Sequence, residues 1–252
     1  MNRFLHGVAR AVVESFELPE PVLEIGSYQV EGQESLINLR SLFSNKSYTG
    51  IDMRPGRGVD CVADVESLPY ATASAGTVVA LSTFEHVPRF WRGFEEVHRV
   101  LRPDGVLFVS CPFHFHIHNH PSDYWRFTPE AFRVLLSPYP QRIVGWHGPK
   151  NRPSSVWAVA FREECPAVSL EQITRYQSLM QRYAREPLKR GRQLRYRLAS
   201  LLCGGGPFAP YLKQNCWNVE FQDDEPSLAP PLTERAVTNA ADKQTALTRK
   251  AA

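Results

Sequence analysis

The chain has 252 residues, 43% hydrophobic and 22% charged, with a formal net charge of +3. That length buries one sizeable α/β core, and so small a charge gives no whole-chain argument for binding nucleic acid. No run approaches 18 apolar residues, so no span of a membrane is predicted, and Cys61, Cys111, Cys165, Cys203 and Cys216 form no CxxC pair, which offers no zinc or disulfide framework and suits reduced thiols in a cytoplasm.

The first elements follow from periodicity. Phe4, Leu5, Val8, Val12, Val13 and Phe16 recur at helical spacing among Arg and Glu, which predicts an amphipathic helix and not a signal peptide. From Pro21 to about Arg162 strand and helix signals alternate. Short apolar runs at Val22–Gly26, Tyr48–Asp52, Val59–Asp64, Thr77–Ser82 and Val106–Cys111 suit parallel strands buried on both faces. Helices are expected over Glu34–Phe43 and Phe90–Leu101, the second stopped by Arg102-Pro103-Asp104-Gly105. Thr128-Pro129-Glu130 is an N-cap, a first-turn proline and an early acid, opening a helix to about Leu136. Arg142–Trp146 and Val156–Phe161 then read as a hairpin.

These elements predict an α/β fold: a Rossmann-like, doubly wound, seven-stranded sheet with a terminal β-hairpin, occupying residues 1–163. A basic helical extension is expected over 164–221, with Leu170–Leu202 divided at Pro187 and the chain broken at Gly204–Pro207. Residues 222–252 are poor in large apolar side chains and are expected to be a disordered tail.

Val22-Leu23-Glu24-Ile25-Gly26-Ser27 is a strand running into a glycine turn, which lets a ligand approach the backbone closely. Strand two ends at Asp52, where an acid accepts hydrogen bonds from ribose hydroxyls, and strand three ends at Asp64, where a carboxylate can meet an adenine amino group. The GxGxxG phosphate fingerprint is missing, so a nucleoside without a pyrophosphate is the better match.

Glu24-x-Gly26, Asp52, Asp64-x-x-x-Leu68-Pro69, Phe84-Glu85-His86-Val87-Pro88 and Glu96-x-x-Arg99-Val100-Leu101-x-Pro103-x-Gly105 occur in order. Together they resemble the methyltransferase type 11 branch of the class I S-adenosylmethionine (SAM)-dependent enzymes, over about Pro21 to Arg162. The resemblance implies SAM as cofactor, with Glu24 and Gly26 at its methionine end. It implies Asp52 at the ribose, Asp64 and Val65 at the adenine, and Ser82, Thr83 and Phe84 as the pocket floor, with Ser27 and Met53 as further candidate cofactor contacts. One position departs from the pattern: the usual glycine two after Gly26 is Tyr28.

Methyl transfer from a sulfonium needs alignment of the acceptor, and a hydroxyl acceptor gains from a base near neutral pKa, for which histidine suits. His86 follows strand four, and His114, His116, His118 and His120 follow strand five, so these are the candidates for the base and for acceptor binding. In an extended segment the last four would share one side. A metal-binding role is discounted because acids are not grouped with them in sequence, and no metal is expected. Glu85-His86 resembles a pair that holds magnesium in some ubiquinone-pathway O-methyltransferases, but the further acid of those enzymes is here Ser82.

The following Pro121-Ser122-Asp123-Tyr124-Trp125-Arg126-Phe127-Thr128-Pro129 resembles a stretch in family members from surface-glycan and secondary-metabolite gene clusters. Asp123, Tyr124, Trp125 and Arg126 are therefore candidate acceptor contacts, the aromatics as faces for a sugar ring; an ion pair of Asp123 with Arg126 that merely holds the loop is the alternative. Between Arg182 and Arg197 seven cations face one acid, Glu186. Packing on the catalytic domain, peripheral contact of residues 182–197 with an anionic membrane, and RNA contact all suit such a stretch, RNA least. The expected activity is O-methylation of a small molecule or glycan. An RNA or protein methyltransferase and a non-catalytic SAM-binding partner protein are the rivals, and the oligomeric state is left open.

Overall fold

The computed structural model describes residues 1–32, 38–118, 122–185, 190–202 and 216–223. Its centre is a sheet of β1 (Val22–Ile25), β2 (Tyr48–Asp52), β3 (Cys61–Val62), β4 (Ala75–Leu81), β5 (Leu101–Pro112), β6 (Gln141–His147), β7 (Ser155–Phe161) and β8 (Trp217–Asp223). The order is β3-β2-β1-β4-β5-β7-β6-β8. The first five strands are parallel, whereas β7 is antiparallel to β5 and to β6, and β8 is antiparallel to β6. The connections reverse direction between β1 and β4, which opens a crevice at the carboxyl ends of those strands.

Alternation along each strand divides the core in two. Leu23, Ile25, Val78, Ala80, Leu107 and Val109 point to one face, and Val22, Val79, Leu81, Val106 and Phe108 to the other. The first face is covered by α2 (Phe90–Val100) and α3 (Pro129–Leu135), through residues such as Phe94, Val97 and Phe132. The second is covered by α1 (Arg3–Ser15), capped by the Asn2 side chain, and by α4 (Leu170–Tyr183), which opens with a capping box of Ser169 and Gln172. Here α1 and α4 touch so closely that a β-carbon on Gly7 would stand 2.2 Å from the Tyr183 carbonyl oxygen. The indole of Trp157 donates to the Tyr176 hydroxyl at 2.9 Å, tying α4 to the sheet. The last helix, α5 (Arg190–Leu202), buries no residue.

Several boundaries differ from expectation. The sheet has an eighth strand, β8, where residues up to 221 were expected to be helical and those from 222 disordered. Its signal was present as a period-two alternation of Trp217, Val219 and Phe221, all packed on the second core. Of the helix expected over Glu34–Phe43, the described part is a 3₁₀ turn, Leu39–Phe43, and the strand expected over Val59–Asp64 is paired only at Cys61–Val62. β5 begins at Leu101, earlier than expected, because Leu101 pairs with Ala75 before residues 102–105 bulge out and Val106 resumes opposite Thr77. Pro187, Gly204–Pro207 and residues 224–252 lie outside the described residues.

Candidate functional site

A cleft of about 850 Å³ opens over the carboxyl ends of β1, β2 and β4, within the range of small-molecule sites. Its inner half gathers residues from three strand ends. Gly26, at φ +82°, follows β1 in a left-handed conformation that glycine adopts without cost. Behind it stands Thr83, whose hydroxyl donates to the Ile25 carbonyl at 2.9 Å. Ser82, at the end of β4, is itself held at φ +56°, a strained geometry for a residue with a β-carbon and one found where a site over-determines the backbone.

Glu24 and Asp52 supply the acids. Glu24 is buried and accepts a hydrogen bond from the Tyr48 hydroxyl. Burial pushes its carboxyl up to about 7, against the opposing pull of that bond. Asp52, at the tip of β2, accepts from the backbone N–H of Arg54 at 3.0 Å and of Tyr28 at 3.3 Å. The Arg54 guanidinium lies over the Tyr28 ring, 4.5 Å from its centroid, so the residue in place of the usual glycine forms a wall beside Asp52. Asp64 is exposed and accepts from the Glu66 amide at 2.9 Å. Met53, Asp64, Val65, Ser82 and Thr83 all line the cleft.

The residues expected at the cofactor therefore divide. Glu24, Gly26, Asp52, Met53, Asp64, Val65, Ser82 and Thr83 share the cleft. Ser27 does not line it: its side chain is buried against Gly50. Phe84 is fully buried and stacks on Phe94 at 4.2 Å, serving the core under the floor.

The outer half is built by the turn Phe84–His86 and the loop after β5. Tyr124 and Trp125 donate their backbone N–H groups to the Glu85 carbonyl at 2.8 and 3.2 Å, and the Trp125 indole donates to the Val87 carbonyl at 3.0 Å. Asp123 is the loop's anchor. Its fully buried carboxylate meets Arg126 at 2.6 Å, Nδ1 of His118 at 2.9 Å and the His118 amide at 3.1 Å. The Arg126 guanidinium holds the Asp123 carboxyl well below the usual range. Asp123 and Arg126 thus hold the loop by an ion pair, the alternative to acceptor contact. Tyr124 lines the cleft, whereas Trp125 lies outside its lining with its indole tied down.

The histidines separate as well. His86, His116 and His118 line the cleft, with the His86 and His118 rings 4.9 Å apart and those of His116 and His118 6.2 Å apart. His86 Nδ1 lies 2.6 Å from the Ser122 carbonyl. His114 turns away and meets Arg152 at 2.6 Å, so the four loop histidines do not share one side, and His120 lies outside the described residues. Glu85, which the sequence offered only as half of the Glu85-His86 pair, joins two of these histidines. Its carboxylate is wholly buried, neither oxygen has a hydrogen bond of good geometry, the Cys111 thiol lies beside it, and burial raises it to about 8. Together with His86 and His118 it forms a three-residue cluster, so the acid beside His86 in sequence also stands beside a loop histidine in space.

A parallel sheet with its crevice at the β1/β4 reversal, an acid closing β2 and a glycine turn closing β1 define a nucleoside-binding α/β protein. Residues 31–109 match the family model of a methyltransferase domain, type 11; the match begins beyond β1 and is shorter than the stretch over which the motifs were read. The matched stretch is that of a class I SAM-dependent methyltransferase domain, whose cofactor is SAM. Among curated protein sequences none matches. Similar solved structures include a SAM-dependent methyltransferase of Thermotoga maritima described as a possible histamine N-methyltransferase. It shows 14% identity and a TM-score of 0.46 over 64% of this chain and 89% of that one. Another is the Burkholderia thailandensis 1,6-didemethyltoxoflavin-N1-methyltransferase with bound S-adenosylhomocysteine, at 16% identity and a TM-score of 0.44 over 63% of this chain and 78% of that one. A third, from Mesorhizobium loti, shows 14% identity and a TM-score of 0.46 over 62% and 95%.

The residues present fit SAM. Gly26 makes its left-handed turn at the cleft with Thr83 packed where a β-carbon would stand, Asp52 would offer ribose a buried carboxylate beside an aromatic wall, and Glu24 would offer the amino-acid end a carboxylate. SAM supplies an activated methyl group on a sulfonium; the chain supplies its position and the exclusion of water.

Proposed function

We propose that this chain transfers a methyl group from SAM to a hydroxyl of a small molecule or glycan. The observation that supports it is that His116 and Tyr124 line the same cleft as Glu24, Gly26 and Asp52. His86 and His118 each have Nδ1 engaged, by Ser122 and Asp123, whereas the exposed His116 stands at the cleft beside Phe115. His116 takes the hydroxyl proton as the acceptor oxygen attacks the methyl carbon. Tyr124 and Phe115 offer a sugar or other ring their apolar faces. Incubation with SAM and a panel of hydroxylated acceptors, read by mass spectrometry, should give a gain of one methyl group on a hydroxyl. Methylation confined to amines, RNA or protein would reject this reading.

A peripheral membrane contact is proposed for α5. This helix carries Arg190, Arg192, Arg195 and Arg197 and no acid, and it exposes Leu194, Leu198, Leu201 and Leu202. Basic and apolar side chains together suit an anionic bilayer surface, where a lipid-linked acceptor is presented.

A further inference from the structure

We propose that Glu85, His86 and His118 form a binding site for a divalent transition-metal ion of the zinc type. One ligand atom from each lies within 4.8 Å of the others, and all three residues line the cleft. Two of the ligands come from the turn after β4 and the third from the loop after β5, so the site exists only once both segments are folded together.

Three independent features point to a cation. The Glu85 carboxylate is fully buried, with only the weak Cys111 thiol and its own amide near its oxygens and no hydrogen bond of good geometry, a costly arrangement that a metal bond offsets. Each histidine is oriented from behind: His118 through Nδ1 to the buried Asp123 carboxylate at 2.9 Å, and His86 through Nδ1 to the Ser122 carbonyl at 2.6 Å. Both contacts place the ring proton on Nδ1 and make Nε2 the basic nitrogen, and this carboxylate–histidine arrangement is the usual support of a metal-bound imidazole. The donor set is two imidazoles and one carboxylate, which selects zinc, cobalt or a similar ion over magnesium, an ion that demands oxygen. Ser82 offers no carboxylate to convert the site into an oxygen-rich one.

Ligands of a tetrahedral ion at bond lengths of about 2.1 Å stand about 3.4 Å apart. The present spread of up to 4.8 Å has to close to that spacing when an ion binds. Three protein ligands leave the fourth position facing the cleft, which is the pattern of a catalytic rather than a structural site. Use of that position to hold an acceptor oxygen rests on the methyl-transfer reading; binding of the ion does not.

The test uses the full chain stripped with a chelator and titrated with Co²⁺ and Zn²⁺. One equivalent per chain should bind, Co²⁺ giving the visible absorption of a low-coordinate nitrogen–oxygen site. His118→Ala and Glu85→Gln should each weaken binding by at least about tenfold, and Asp123→Asn by about 10–100-fold. His118→Ala alters a loop and keeps the test valid if the buried Glu85 variant fails to fold. Absence of saturable binding overturns the proposal, as does unchanged affinity in His118→Ala or a loss that follows His114→Ala instead. SAM affinity of the metal-free chain, measured by calorimetry, tests the methyltransferase reading separately.

Discussion

The Thr83 side chain occupies the space a β-carbon on Gly26 would need: the two would stand 2.3 Å apart at Thr83 Oγ1. With Gly26 at φ +82°, Gly26→Ala meets both a steric and a conformational penalty. A loss of about 1–3 kcal/mol in stability is expected, together with loss of SAM binding. Thermal unfolding and calorimetry check this, and an alanine variant that binds SAM normally would remove Gly26 from the site.

Asp52 holds the backbone of Tyr28 and Arg54 and retains carboxylate lone pairs for ribose. Asp52→Ala should weaken SAM and S-adenosylhomocysteine by about 1.5–3 kcal/mol, the scale of a charged hydrogen bond. Unchanged cofactor affinity in a titration would reject the ribose role.

Glu24, raised to about 7 by burial, makes stability depend on pH. Its folded pKa lies above its ordinary value of 4.5, so its contribution is fully present below about pH 4.5 and is lost as pH rises through about 7. Glu24→Gln cannot ionise, so its stability relative to wild type should rise across that window, by at most about 3 kcal/mol. The ammonium of SAM favours the charged carboxylate, so binding near pH 6 should release a proton. Calorimetry in buffers of different ionisation enthalpy measures that release, and a null result would separate Glu24 from the cofactor's amino-acid end.

Arg126 bonds Asp123 and reaches the His116 carbonyl at 3.3 Å, so it holds the acceptor loop from outside the cleft. Arg126→Met should raise the acceptor KM about tenfold and speed proteolysis of the loop while leaving SAM affinity unchanged. A parallel loss of SAM affinity would show that the two halves of the cleft fold as one.

Charge reversal at Arg190, Arg192 and Arg195 removes cations from a helix that buries nothing. SAM affinity should be unaltered, and flotation with anionic liposomes should fall, at about 1 kcal/mol per residue near such a surface. Failure of the wild type to float would dismiss the membrane contact.

Local pattern alone determined most of the parallel half of this fold. The apolar runs ending at Gly26, Asp52 and Ser82 marked strand ends, because strands buried on both faces read as continuous apolar segments that stop where the chain must turn. The Thr128 cap and Pro129 marked α3 because capping is a contact between near neighbours. The edge strand β8 shows locally only as the alternation of Trp217, Val219 and Phe221. Only tertiary structure decided which histidine goes where. His114 meets Arg152 while His118 meets Asp123, and both choices depend on how a loop without regular hydrogen bonding folds back on the turn at Glu85. The grouping of Glu85 with His118, 33 positions apart in sequence, was beyond any local pattern. It arises because β4 and β5 are adjacent parallel strands whose carboxyl ends bring their following segments together.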